Sequence, residues 1–317
     1  MPETLTAYAD RYRPLIERRL ERLCPCSSLE GAAPLNQALR CAVSGAGKRI
    51  RPLLTLLSAS AFGLPAEHAL DLACGVEFLH ISSVILDDLP AMDDALMRHH
   101  RPALHILYGE ATALLAALAL YAEAFRIFSR CPGLVEEAVR AVGCDGMIGG
   151  QQADLRGVRP SLLAKTTSLI RFALSAGAMA AGAPLPQKIA LARFGDLTGE
   201  AYQVCDDLMD ELASEGIAGK TVGQDRRHGR PAFPAGGALS EACSRARHLV
   251  EEAMAALDQA LPPCGEREVL GDFAETILRR INGFVEKTHG DVDGSGPVVA
   301  FGGRERGLLA ADPGRRR

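Results

Sequence analysis

The sequence predicts an all-α protein folded as one large helical bundle. Apolar residues recur at spacings of three and four along most of the chain, alanine and leucine dominate while β-branched alternation is scarce, and glycine and proline fall in short clusters between the periodic stretches. In chain order, helices are expected over residues 4–23 and 35–44, the latter closed by Gly45 to Gly47. The stretch 51–62 stops at Gly63 to Pro65, and 66–87 runs to the acidic turn at Pro90. Helices at 103–129 and 134–154 are separated by Cys131 to Gly133, and Gly157 to Pro160 ends the second of them. Those at 161–181 and 186–212 are divided by Gly182 to Pro186, and two more follow at 240–261 and 266–286. Residues 215–234 lack helical periodicity and read as a long loop of the kind used as a lid or binding element. The unit is expected to span residues 1–288, with 289–317 a disordered tail rich in glycine, proline and arginine.

Composition narrows the function. With 317 residues, 48% hydrophobic and 23% charged, the chain can fill a large core. A net charge of -4 supplies no basic field for nucleic acid, so an anionic ligand needs a local set of cations or metal ions. The nine cysteines include no Cys-x-x-Cys pair and read as free thiols of a reducing cytoplasm; Cys24-Pro25-Cys26 reads as thiols in a loop. The N-terminus, with Glu3, Asp10 and Arg11, is no signal peptide. No transmembrane segment is expected, because the apolar run 112–125 is short and 166–184 is interrupted by Arg171.

The chemistry lies in two acidic clusters far apart in the chain, Asp87-Asp88-Leu89-Pro90-Ala91-Met92-Asp93-Asp94 and Asp206-Asp207-Leu208-Met209-Asp210. Carboxylates this crowded raise one another's pKa unless a cation sits among them, and their apolar flanks make naked charge costlier. Mg²⁺, a hard ion with oxygen ligands, relieves the repulsion and keeps places open for phosphate oxygens. Asp206 and Asp210, four apart, share one helix face, and Pro90 can turn Asp93 back toward Asp87 and Asp88. The two clusters are expected to face each other and grip a diphosphate. Cations complement them: Gly47-Lys48-Arg49-Ile50-Arg51-Pro52 lies at a loop-to-helix junction suited to phosphate, and Arg98, Arg101, Lys165 and Lys220 are further candidates.

Over residues 35–234 this pattern resembles the trans-type isoprenyl diphosphate synthases, or polyprenyl synthetases. Besides the aspartate motifs, the resemblance rests on Gly-Lys-Arg-x-Arg-Pro at 47–52, Arg98, Arg101-Pro102 and Tyr108-Gly109-Glu110-Ala111-Thr112. It continues through Gly150-Gln151-x-x-Asp154-Leu155, Lys165-Thr166, Tyr202-Gln203 and Gly219-Lys220-x-x-Gly223-x-Asp225. The resemblance implies the isoprenoid-synthase bundle, a homodimer, and three Mg²⁺ ions held by Asp87, Asp88 and Asp93 and by Asp206, Asp207 and Asp210. It also implies that Arg98, Lys165 and Lys220 hold an allylic diphosphate, that Thr166 and Gln203 steady the nascent cation, and that Lys48, Arg51 and His80 hold isopentenyl diphosphate.

The reaction implied is head-to-tail condensation of the two substrates, with no protein nucleophile. Its product length depends on residues below the first aspartates. Ser82 and Ser83 stand where an aromatic closes the pocket at C15 in relatives, so the expected product is geranylgeranyl diphosphate, C20. One position departs from the family: His99 replaces an arginine that contacts isopentenyl diphosphate, and histidine is a weaker, pH-dependent ligand with no bidentate fork. Alternatives are a farnesyl diphosphate (C15) synthase, a class I terpene cyclase, which has no need of Lys48, Arg51 and His80, and a non-catalytic partner subunit, which usually has eroded aspartates.

Overall fold

A computed structural model describes residues 3–45, 47–98, 100–156, 162–212 and 238–290, with side chains at all of these except 162–165, 207, 209–212, 238, 239 and 282–290. Its helices are α1 (Leu5–Leu23), α2 (Ala33–Val43), α3 (Ile50–Ala61), α4 (Leu70–Asp87), α5 (Leu104–Tyr108), α6 (Glu110–Phe128), α7 (Leu134–Val142) and α8 (Met147–Leu155). These are followed by α9 (Leu162–Ala180), α10 (Leu185–Leu212), α11 (Ala238–Ala260) and α12 (Gly265–Gly290). A 3₁₀ turn, Ala66–Ala69, leads into α4, and a two-residue antiparallel hairpin pairs β1 (Met97–Arg98) with β2 (Arg101–Pro102).

The bundle is layered. α6 packs on α4, α3 lies between α4 and α9, and α10 is sandwiched by α9 and α11, while α12 closes over α10, α11 and α3. Sequence dictates this order. In α3 every residue from Pro52 to Ala59 is buried, which suits a helix surrounded on all sides, whereas α1 buries only Leu5, Tyr8, Ala9, Ile16 and Leu20 and keeps a polar outer face. Phe78, Phe128, Phe172 and Phe194 are fully buried, and the rings of Phe128 and Phe172 meet edge-on at 5.3 Å.

Several expectations change. The helix expected at 103–129 is two helices, because Gly109 adopts φ 81°, ψ 156°, a conformation that glycine tolerates and that breaks the ladder between α5 and α6. The one expected at 134–154 is likewise divided, by the segment from Gly143 to Gly146. α12 continues to Gly290, past the expected helix end at residue 286, and the hairpin was not anticipated in an all-α chain. The proposed loop 215–234 and the tail from 291 lie outside the described residues. α6 has 19 residues, so it and the segment Ala66–Asp87 are long and apolar enough to cross a bilayer, contrary to the short run read from sequence; both pack in the bundle, 39% and 61% buried respectively.

Close helix contact depends on one glycine in particular. A Cβ on Gly177 of α9 would lie 2.3 Å from the carbonyl oxygen of Thr55 and 2.8 Å from the nitrogen of Ala59, both backbone atoms of α3. Backbone cannot swing aside as a side chain does. Gly177→Ala is expected to lower unfolding free energy by about 1–3 kcal/mol, whereas Gly265→Ala, where the added carbon meets no atom within 4 Å, changes it by less than about 0.5 kcal/mol. Urea denaturation of the two variants checks the contrast.

Candidate functional site

α4 carries one acidic cluster at its C-terminal end. Past Asp88 the chain doubles back as expected: the Asp93 amide donates to the Asp87 carbonyl at 2.9 Å, and the Ala95 amide to the Asp88 carbonyl at 3.2 Å. Asp94 takes a positive φ of 48° at this reversal, and its amide reaches the Leu89 carbonyl at 3.1 Å. The three carboxylates differ in environment. Asp87 and Asp93 are half-buried, whereas Asp88 is 4% exposed and accepts from Arg98 Nε at 3.0 Å and Nη2 at 2.5 Å. Burial pushes the Asp88 carboxyl above its usual range, against the pull of Arg98. Arg98 sits above its ordinary value because Asp88, Asp87 and Asp93 together outweigh its own desolvation. The hairpin explains its position, since the register Arg98 to Arg101 brings the β1 residue back over the helix end.

A second constellation gathers at the N-terminal end of α3. Arg51 Nη1 lies 3.2 Å from His80 Nε2, and His80 stands two turns below Asp87 on the same face of α4. Desolvation lowers the Arg51 pKa, while the charges of Glu77, Tyr202 and Asp206 act in the opposite direction. Lys48 is lowered too, first by desolvation and then by the Arg280 guanidinium, with Asp206 opposing both. Arg280 of α12 lies 3.6 Å from the Asp206 carboxylate and 5.3 Å above the Tyr202 ring. Arg280 thus pairs with Asp206, whose charge also acts on Lys48 and Arg51. Arg51 contacts α4 through His80 and feels the charge of Asp206 on α10. Thr166 of α9 donates to Gln203 Oε1 of α10 at 2.6 Å, which joins the two residues expected to act on the cation.

Sequence reasoning missed Arg280, which lies beyond the stretch 35–234. A signal was present: Phe273, Ile277 and Ile281 form the buried stripe of α12, and an arginine three residues from one and adjacent to another lies on that inward side, whereas Arg279 is exposed. The two serines also separate. Ser82 is 1% exposed and donates to the Ala117 carbonyl of α6 at 3.0 Å, whereas Ser83 is half-buried and donates to the His80 carbonyl of its own helix at 2.8 Å. His99, Lys220 and the side chains of Lys165, Asp207 and Asp210 lie outside the described residues.

Among the described residues no three carboxylate, imidazole or thiol groups form a closed ligand set for a metal ion. The donors that are placed still fit a hard divalent ion. Asp87 and Asp93 are neighbours through a backbone bond, all-oxygen in character, and Mg²⁺ typically takes one or two carboxylates with waters and substrate phosphates rather than a protein cage.

The Arg98–Asp88 pair has a direct consequence for stability. Arg98→Ala leaves a buried carboxylate without its partner and is expected to cost about 3 kcal/mol, most of which the second change Asp88→Asn restores. Urea denaturation of both variants in chelator-containing buffer measures it.

Comparison with known proteins identifies the family. Residues 32–261 match the family model described as polyprenyl synthetase. The farnesyl diphosphate synthase of Geobacillus stearothermophilus is 34% identical over 264 residues, 77% of this chain and 87% of that protein. The geranylgeranyl diphosphate synthase of Pantoea ananas is 38% identical over 221 residues, 63% of this chain and 72% of that one. A polyprenyl synthase of Caulobacter crescentus, solved with calcium and isoprenyl diphosphate, superposes with a TM-score of 0.76 at 26% identity, covering 87% of this chain and 97% of its own. An FPP/GFPP synthase of Zymomonas mobilis gives 0.75 at 29% identity, covering 86% and 98%. With helices in the isoprenoid-synthase arrangement and a family match over most of its length, the chain belongs to the polyprenyl synthetases and is a trans-prenyltransferase acting on prenyl diphosphates.

Proposed function

We propose that this prenyltransferase is a Mg²⁺-dependent geranylgeranyl diphosphate synthase, which condenses isopentenyl diphosphate with allylic diphosphates up to C20. The observation that carries the reading is the Arg51–His80 contact, which sets a cationic group two turns below the Asp87 end of α4. The acidic ends of α4 and α10 suit a metal-bound diphosphate, while Lys48, Arg51, His80 and Arg280 offer a second anion its own cations. A terpene cyclase handles one diphosphate and needs only the acidic set.

In this reading Asp87, Asp93 and Asp206, with Asp88, Asp207 and Asp210, hold the metal ions. When bound, Mg²⁺ neutralises the allylic diphosphate and makes it a competent leaving group. Arg98, Lys165 and Lys220 take the remaining phosphate charge, and Asp88 also fixes Arg98 over the site. The allylic C–O bond then ionises, with the Thr166–Gln203 pair turning an oxygen dipole toward the positive carbon and the apolar helices excluding water. Lys48, Arg51, His80 and Arg280 orient isopentenyl diphosphate so that its double bond attacks that carbon, and the departing diphosphate takes the proton that is lost. His99, in place of the family's arginine, would contact the same diphosphate.

Ser83, four residues before Asp87 and on nearly the same face, is the better candidate for a length determinant, because the Ser82 hydroxyl is committed to α6. That commitment also gives the C15 alternative its support: only one of the two small residues remains to deepen the pocket, and relatives of both product lengths are similar to the chain. We further propose one catalytic unit over residues 1–288, working in the cytoplasm as a homodimer. Ile106, Leu107, Leu114, Leu115, Leu118 and Val139 of α5, α6 and α7 are 43% to 54% exposed, an apolar face that a second copy would cover.

Incubating the purified chain with Mg²⁺, dimethylallyl diphosphate and isopentenyl diphosphate is expected to give a C20 alcohol after dephosphorylation, and none with excess chelator. Ser83→Phe is expected to shift the major product to C15. A cyclic hydrocarbon, or no product from the unmodified enzyme, refutes the assignment. His99→Arg is expected to lower the KM for isopentenyl diphosphate by about tenfold above neutral pH, where a histidine of ordinary pKa near 6.5 has lost its charge. A KM equal to that of the unmodified enzyme, and flat between about pH 6 and 8, would speak against a ligand role for this residue.

A further inference from the structure

Between Lys48 and Arg51 stands a basic residue that turns away from their site. Arg49 is 4% exposed, and its backbone is left-handed, φ 54° and ψ 35°. Its Nε donates to Glu17 Oε1 at 2.8 Å and its Nη2 to Glu17 Oε2 at 3.1 Å, the parallel fork of an arginine on a carboxylate. Nη1 donates to Glu77 Oε1 at 2.9 Å, and Nη2 also reaches the carbonyls of Val43 at 2.8 Å and Gly45 at 2.9 Å. One guanidinium therefore ties together α1, the end of α2, the glycine loop and α4.

The attachment points bear on the substrate site. Arg49 caps α3, its carbonyl accepting the Leu53 amide at 3.1 Å, and Arg51 follows in the first turn. Glu77 and His80 are three apart on α4 and so lie one turn from each other on neighbouring positions of its face. Arg49–Glu77 and Arg51–His80 are thus successive rungs between α3 and α4. The first rung is buried and charged; the second faces the site. A residue other than glycine in the left-handed region costs about 1–2 kcal/mol, so this turn persists only where its surroundings hold it.

We infer that Arg49, clamped by Glu17 and Glu77, is a positioning residue for isopentenyl diphosphate: it never touches the substrate, yet it sets the register in which Lys48 and Arg51 meet His80. The inference rests on the proposed role of Lys48, Arg51 and His80. Lysine cannot substitute, since one ammonium cannot span two carboxylates and two carbonyls in a fixed plane.

Steady-state kinetics on the full chain with Mg²⁺, dimethylallyl diphosphate and isopentenyl diphosphate test it, using Arg49→Lys, Arg49→Gly and, in parallel, Arg51→Ala. Glycine accepts the left-handed backbone, so Arg49→Gly removes the clamp while sparing the turn. Both Arg49 variants are expected to raise the KM for isopentenyl diphosphate by about 10- to 100-fold, with the KM for dimethylallyl diphosphate within about twofold of the unmodified enzyme. Millimolar ethylguanidinium, filling the space vacated in Arg49→Gly, is expected to recover at least part of the loss. Equal rises in both Michaelis constants, or no rise for isopentenyl diphosphate, overturn the inference. If Arg51→Ala also leaves that constant unchanged, the site assignment itself fails, which separates the two errors. Should Arg49→Gly not fold, Glu77→Gln decides the matter: a selective rise in the same constant supports the clamp, and an unchanged one refutes it.

Discussion

Carboxylates set against apolar helices cannot stand without positive charge beside them, and that electrostatic demand organises this protein. At about 4 Å, two unit charges in a protein of effective dielectric near 20 interact by about 4 kcal/mol, enough to decide where a loop or helix end settles. Asp88 is met by Arg98 from the hairpin, and Asp206 by Arg280 from the last described helix. Neither arginine belongs to the element whose acid it neutralises. The acidic jaws consequently act as anchors for parts of the chain that are remote in sequence, and the same charges that would hold metal ions also hold the walls of the site.

The helical core gives those charges a rigid base. α3 and α4 are apolar on nearly every side, and α9 approaches α3 at a glycine where a methyl group would strike backbone. Closely packed helices transmit position well, so a guanidinium buried between α1 and α4 can fix the direction of Lys48 and Arg51, one and two residues away in the chain. Burial lowers the pKa of Lys48 and Arg51, which have no strong single carboxylate partner among the described residues, unlike Arg98, whose partners raise it. Cations left under-compensated in this way are suited to meeting an incoming anion, since little existing interaction is lost when phosphate arrives.

Much of this was legible in the sequence because the relevant signals are local. Three-four periodicity gave the helices, and the Pro90 turn gave the return of Asp93 toward Asp87, since both depend on residues within a few positions of each other. What stayed hidden depends on partners distant in the chain or on single dihedrals. Gly109 and the Gly143 to Gly146 segment break what read as long helices, because glycine inside an alanine-rich run costs the pattern little while permitting a backbone that alanine resists. Arg280 was invisible to motif reading, although its place on the buried stripe of α12 was open to a periodicity argument. The difference between Ser82 and Ser83 could not be read at all. It follows from α6 offering a carbonyl at Ala117, and no pattern within α4 contains that information.

The two serines show why product length is harder to infer than reaction type. Reaction type follows from charges, which act over several ångströms, as Asp206 does on Lys48, Arg51 and Arg280. Length follows from steric closure, where one side chain decides and an isoprene unit is a few ångströms long. A hydroxyl engaged with the facing helix leaves little freedom at Ser82, so replacing it strains the α4–α6 contact before it shortens any pocket. At Ser83 the hydroxyl donates within its own helix and, among the described residues, to no other helix, which leaves this position free to vary in size while the charges that define the reaction remain where they are.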